Sequence, residues 1–279
     1  MRVATSSLAL FLALTLSGCC CGDGLGSPEL PKAGEPEPTN PELDGITAAP
    51  EATTGPLSDR SRTLPLSEAK RGCKRGVVDA CDNLGARYFT GFEVDKDLEQ
   101  ARKHFVTACA GRHPGACFDL AVMLRKGEGG EEDASEAAAL YLTACKAGHP
   151  RGCDSAGWTL ADGHGVAQDK RGAVPLYRTA CDLGEPRGCR HLALMYLAGD
   201  GVAKNAPEAS KLLDKGCEAD HAKSCFDLGV MWFNGEGVPK NQQKARRIYT
   251  KACKLGHAKA CEYKNPPPKR RRRSSFDFD

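Results

Sequence analysis

Twelve of the fifteen cysteines follow one spacing rule. They stand at Cys73, Cys81, Cys109, Cys117, Cys145, Cys153, Cys181, Cys189, Cys217, Cys225, Cys253 and Cys261, with gaps of 8 and 28 residues alternating without a slip. Paired thiols at fixed spacing offer two chemistries, metal ligation and disulfide formation. Zinc sites favour pairs about two to four residues apart, with a second pair or histidines nearby, and this frame is wider. In an oxidising compartment paired cysteines become disulfides. Connectivity cannot ordinarily be read from sequence. Here the recurrent frames "CKAGHPRGC", "CDLGEPRGC" and "CKLGHAKAC" make the near pairs the most economical reading, against a pairing that would bridge two whole helices. Each such bridge closes a loop of about nine residues, worth roughly 2–3 kcal/mol in the chain-entropy model.

Other reactive patterns are weaker. Ser67 to Lys70, "SEAK", matches the S-x-x-K of serine acyl-enzymes, but neither S-D-N nor K-T-G occurs anywhere in the chain. About one such match is expected by chance in a sequence of this composition, so Ser67 reads as the cap of a short leading helix. His113, His149, His221 and His257 share one position of the repeat. A whole unit apart, they cannot share one metal ion at bond lengths near about 2 Å, and they read as turn caps. No catalytic residue, metal site or cofactor is implied.

The elements that hold the cysteines follow from the 36-residue period, which marks a repeat array without insertions. Leu84, Leu120, Ala156, Leu192 and Leu228 form one column, with Tyr88, Leu124, Leu160, Tyr196 and Trp232 four residues later, on one helix face. Gly91, Gly127, Gly163, Gly199 and Gly235 then supply a left-handed cap. A second helix carries Ala101, Ala137, Ala173, Ala209 and Ala245, followed four on by Phe105, Tyr141, Tyr177, Leu213 and Tyr249. Small then large residues at helical spacing predict a close crossing beside an aromatic plug. Three turns place proline at the first helical position, after His113, His149 and Glu185. The expected fold is all-α, an α/α superhelix of about five helical hairpins, with each cysteine pair stapling the turn between units.

The termini read differently. "MRVATSSLALFLALTLSGCCC" is a secretory signal rather than a membrane span, giving residues 1–18 as signal peptide. Leu16-Ser17-Gly18-Cys19 resembles the lipobox of bacterial lipoproteins, which implies S-acylation of Cys19. Residues 19–63 are rich in Pro, Gly and Glu and poor in apolar side chains, and read as a disordered tether of about 35–40 Å. The repeat domain is expected over 64–265 and a basic disordered tail, containing "KRRRR", over 266–279. Net charge is only +3, so the chain as a whole is no nucleic-acid binder by charge. The tail is suited to an anionic envelope polymer or lipid.

The unit A-C-x-L-G-…-C-x-x-L-G-x-x-Y-x-x-G-x-G-V-x-x-D-…-A-x-x-x-Y-x-x-A-C resembles the Sel-one-like repeat, a relative of the tetratricopeptide repeat, over about residues 66–263. Two cysteines eight apart in each unit make it similar to the secreted, cysteine-rich Hcp proteins. Arg112 and Asp220 depart from the turn glycine, Glu93 from the second loop glycine and Gly216 from the alanine before a cysteine. The resemblance implies a right-handed superhelix whose concave groove binds protein or peptide. It also implies an alternative, β-lactam binding or weak β-lactamase activity. By analogy with tetratricopeptide grooves, the candidate lining is Asn83, Arg87, Asp119, Met123, Ser155, Thr159, His191, Met195, Asp227 and Met231. The reading is a cell-envelope scaffold held at a membrane by its lipid, or secreted, that binds a protein or peptide ligand.

Overall fold

The computed structural model describes residues 36–263, and every regular element in that range is helical. Cys19, the signal, residues 19–35 and the basic tail lie outside the described residues. A 3₁₀ turn at Pro41–Leu43 precedes α1 (Glu51–Thr54), α2 (Leu57–Arg60) and α3 (Leu66–Lys74). Five hairpins follow: α4 (Val78–Thr90) with α5 (Leu98–Ala110), α6 (Pro114–Lys126) with α7 (Ala134–Lys146), α8 (Pro150–Asp162) with α9 (Lys170–Asp182), α10 (Pro186–Ala198) with α11 (Ala206–Glu218), and α12 (Ala222–Asn234) with α13 (Gln242–Lys254). Helix α14 (Ala258–Tyr263) begins the next unit. No described helix is long and apolar enough to cross a membrane.

Every hairpin is delimited by the same chemistry. The first helix ends on its predicted glycine in the left-handed region, from Gly91 at φ 79° to Gly235 at φ 80°. The second begins at Asp97, Asp133, Asp169, Asn205 or Asn241, whose side chain accepts a hydrogen bond from the backbone N–H three residues on. The alanine column is fully buried at the crossing, and Phe105, Tyr141, Tyr177, Leu213 and Tyr249 are buried beside it. Three of these plugs sit against glycine: a Cβ on Gly85, Gly157 or Gly229 would lie 2.8, 2.9 or 2.6 Å from the ring of Phe105, Tyr177 or Tyr249.

The second loop glycine has a physical reason of its own. At Gly129, Gly165, Gly201 and Gly237 φ is positive, and a Cβ would fall 2.3–2.4 Å from backbone at the start of the second helix of the preceding unit. Glycine here lets each loop close on its neighbour. Glu93, which breaks this column, belongs to the first hairpin and has no such neighbour. Together with Arg112 and Asp220 it is one of three non-glycine residues at positive φ among the described residues, at 56°, 61° and 57°.

Successive first helices touch one another, whereas successive second helices have at most glancing contact. The stack therefore bends with its first helices inside, and α4, α6, α8, α10 and α12 form the inner face. The six cysteine pairs are bridged as the spacing predicts, Cys73–Cys81 through Cys253–Cys261, with Cα atoms 4.4–4.7 Å apart. Each bridge joins the end of one hairpin to the inner helix of the next.

Two expectations need correction. Pro65, not Ser67, precedes α3, and Ser67 lies inside the helix with its side chain exposed. Residues 36–63, read as part of a disordered tether, instead lie against the array as a strap. The low apolar content stands, since Leu43 is the one buried apolar residue among the strap residues whose burial is described. Leu43 and the partly buried Ile46 and Leu57 pack against the core, and hydrogen bonding and charge supply the other contacts.

Candidate peptide-binding face

The inner face is organised as rungs between units. At several unit boundaries the residue just after the second cysteine of one unit meets the residue two after the second cysteine of the next. Asp154 thus meets His191, with Nδ1 and Oδ1 2.7 Å apart, and the Nε of Arg190 donates to Asp227 at 2.6 Å. In the first rung the same positions are Asp82 and Asp119, two carboxylates facing each other. Like charges held this close repel unless a cation lies between them.

The strap supplies that cation. Arg60, at the end of α2, is 3% exposed, and its guanidinium forks to Asp82 and Asp119. Its Nε donates to the Gly55 carbonyl at 3.2 Å. Asn83 Nδ2 donates to the Arg60 carbonyl at 2.6 Å and to Thr63 Oγ1 at 3.0 Å, and Asn83 Oδ1 accepts from Arg87 Nε at 2.8 Å. Arg87 in turn binds the Leu64 carbonyl and Glu93. Farther back along the strap, Ala49 N–H donates to the Gly148 carbonyl at 3.0 Å. Glu37 meets Arg178 and the Tyr196 hydroxyl. The strap therefore runs antiparallel to the order of the units, from the first rung, past the disulfide turns, to the second helix of the third hairpin.

Burial shapes the electrostatics of this edge. It pushes the Asp82 carboxyl up, against the pull of Arg60 and His113. It pushes the His113 imidazole down, and carries His149 down to about 3, helped by the nearby cations Arg151 and Arg60. Both imidazoles are therefore neutral at pH 7. Their Nδ1 atoms accept from the N–H of Ala116 at 3.1 Å and of Gly152 at 3.0 Å. These are N-cap bonds, and a protonated ring could not accept them.

The Sel1 repeat model matches residues 78–113, 114–149, 153–185, 186–221 and 222–257, each running from an inner helix to the turn after the outer helix. The chain belongs to the Sel1 repeat family. Among solved structures, c5321, a protective antigen of uropathogenic Escherichia coli with an SLR fold, aligns at 25% identity and a TM-score of 0.67 over 75% of this chain. That alignment spans about half, 48%, of the E. coli chain. A Sel1 repeat protein from Oxalobacter formigenes aligns at 22% identity and a TM-score of 0.64, covering 71% of this chain and 86% of its own. Cysteine-rich protein B of Helicobacter pylori is 30% identical over 47% of this chain and 93% of its own, at a TM-score of 0.40. None of the curated proteins matches closely enough to count as a relative. Sel1 repeat arrays are scaffolds that typically bind proteins.

In this Sel1 array the ten residues proposed for the groove divide into three groups. Asn83, Arg87 and Asp119 do lie on the inner face and are engaged by the strap. Ser155, His191 and Asp227 lie there partly exposed, the last two in rungs. Met123, Thr159, Met195 and Met231 are corrected: all are buried in the array, and Thr159 Oγ1 donates to the Ala156 carbonyl at 2.8 Å. Arg87 shares their column and is as deeply buried, but it reaches the Leu64 carbonyl and Glu93, whereas the methionines belong to the hydrophobic core. Asp82, Asp154 and Arg190 line the face and were missed, although their column immediately after the second cysteine was there to read. Arg60 carried no signal at all.

Proposed function

We propose that this Sel1 array is a cell-envelope scaffold that binds an extended peptide or protein segment along its inner face. The observation that supports this most is the strap, a stretch of ordinary polar sequence held by one buried arginine and by side chains that clasp its backbone carbonyls. A face that binds its own chain this way has the chemistry to bind another. Crosslinking in intact cells followed by mass spectrometry tests the reading; recovery of no saturable partner by the whole chain or by a strap-released variant would overturn it. Anchoring would come from S-acylation of Cys19, and the mass of the mature N-terminal peptide from membranes tests that. The basic tail would add attraction to an anionic envelope polymer, read out as salt-sensitive retention on the envelope.

A β-lactam-acylating role would have to use Ser67 with Lys70. Both side chains are exposed on α3, away from the rungs. Incubation with a chromogenic β-lactam is expected to give no turnover that Ser67→Ala abolishes.

A further inference from the structure

One column of the inner helices departs from what helices prefer. The second residue of each is Asp79, Gly115, Arg151, Arg187, Lys223 and Lys259. From the third unit on, a cation stands in the first helical turn, where the macrodipole favours an acid and costs a cation some tenths of a kcal/mol. Three outer helices follow the rule, with Glu99, Glu136 and Glu208 in their first turns, whereas α9 opens on Lys170 and Arg171 and α13 carries Lys244 there.

These side chains reach back toward the preceding unit's rung. Arg151 lies over the Phe118 ring at 4.6 Å, Arg187 reaches Asp154 at 3.5 Å, and Lys259 lies over Phe226 at 5.8 Å. At the second unit the column holds glycine, and the strap takes its place. A Cβ on Gly115 would lie 2.5 Å from Arg60 Nη1, and Arg60 reaches the equivalent rung residue, Asp82. A segment of this chain, the short helices α1 and α2 of the strap, thus already occupies this column where the column has no side chain. Beyond it, the carboxylates are spoken for: Asp154 by His191 and Arg187, Glu185 by Arg187, Asp227 by Arg190. Arg151, Lys223 and Lys259 are exposed and form no ion pair among the described residues. Partial desolvation and the neighbouring Arg187 push the Arg151 guanidinium down, against the opposing pull of Glu185 and Asp154.

We propose that the column Arg151, Arg187, Lys223 and Lys259 is the docking site for an acidic, extended peptide segment of a partner protein, continuing the track that the strap begins. The inference rests on the peptide-binding reading above. Packed helices lie about 10 Å apart. A polyproline-like peptide turns once in three residues and rises about 9 Å in doing so. One acidic side chain at every third position therefore meets one cation per unit, and the cations themselves reject basic segments.

The test uses the oxidised mature chain and fluorescent proline-rich 12-residue peptides bearing glutamate, glutamine or lysine at every third position. Anisotropy is followed at low and at physiological salt. The glutamate peptide is expected to bind at least tenfold tighter than the other two and to weaken with salt. Lys223→Glu with Lys259→Glu is expected to lose at least tenfold of that affinity. These substitutions place acids in first turns, so the folded array is retained or stabilised, and an unchanged or higher melting temperature confirms it. Equal binding of the glutamate and glutamine peptides, or unchanged affinity in the double variant, overturns the proposal. So does tighter binding of anionic vesicles or an oligonucleotide than of the glutamate peptide. If the double variant still captures its envelope partner, the scaffold reading stands and only the acidic site falls.

Discussion

Gly115→Ala separates the strap from the solenoid with a single methyl group. The added Cβ would stand 2.1 Å from the Thr53 carbonyl oxygen and 2.5 Å from Arg60 Nη1. The carbonyl is backbone and cannot swing aside, so the strap must move by more than about 1 Å to restore van der Waals contact. Overpacking of this kind costs about 1–3 kcal/mol, and here the cost falls on strap docking. The same change removes a glycine from a helix, which favours α6 by about 0.5–1 kcal/mol. The two effects have opposite signs on two parts of one molecule. Strap opening should rise by a factor of roughly 5 to 150 while the array melts no earlier than before. Native-state hydrogen exchange reads this directly. The Ala49 amide, bonded to the Gly148 carbonyl, should lose protection, and the His149 amide, bonded to the Ala144 carbonyl within the array, should keep it. Trypsin should begin to cut after Arg60, which is buried in the parent chain. Unchanged Ala49 protection in a folded Gly115→Ala array would refute the placement of the strap.

Reduction of the six bridges should lower the melting temperature steeply, since each nine-residue loop contributes about 2–3 kcal/mol; non-reducing peptide mapping should return the six short-range pairs and no long-range one. Acid should destabilise the array through its neutral histidine caps. His149 is held at about 3, below its ordinary value of 6.5, so its contribution is complete above pH 6.5 and is lost as pH falls toward 3. That one ring should cost about 2 kcal/mol by pH 5, and His149→Asn, which keeps a capping acceptor, should flatten the pH dependence of denaturant unfolding between pH 7 and 5. Arg112→Gly removes a side chain at φ 61° and should raise stability by about 1 kcal/mol in the same assay. Gly165→Ala should do the reverse, because its Cβ would meet the backbone of Ala134 at 2.3 Å, and should cost about 1–3 kcal/mol.

What could be read from the sequence was whatever recurs. The caps at Gly91 to Gly235, the alanine and aromatic columns and the cysteine frame each appear at every period, and each reports a local requirement repeated five or six times. The methionine column misled because a shared helix position does not fix burial: Arg87 at that position reaches the Leu64 carbonyl, while Met123, Met195 and Met231 are part of the core. The strap was invisible for another reason. A segment that docks by three scattered apolar side chains, Leu43, Ile46 and Leu57, and one buried guanidinium looks, by composition, like a chain unable to pay for order. Its partners are charges fixed by the array, and no local pattern in 36–63 records them.

Yet the array does record where the strap must go, through breaks in its own regularity. Column by column, Gly115 replaces a residue that is Arg or Lys in four later units, and the rung beside it sets Asp82 against Asp119 where two later rungs pair an acid with Arg or His. Each break alone is unremarkable. Together they describe a position stripped of its cation, opened to backbone approach and left with two carboxylates to neutralise. A sequence in which a repeat loses its own arginine at the point where its acids need one implies an arginine from elsewhere. Arg60 fills that position, and the units whose cations remain in place are the ones left free to take a ligand of the opposite charge.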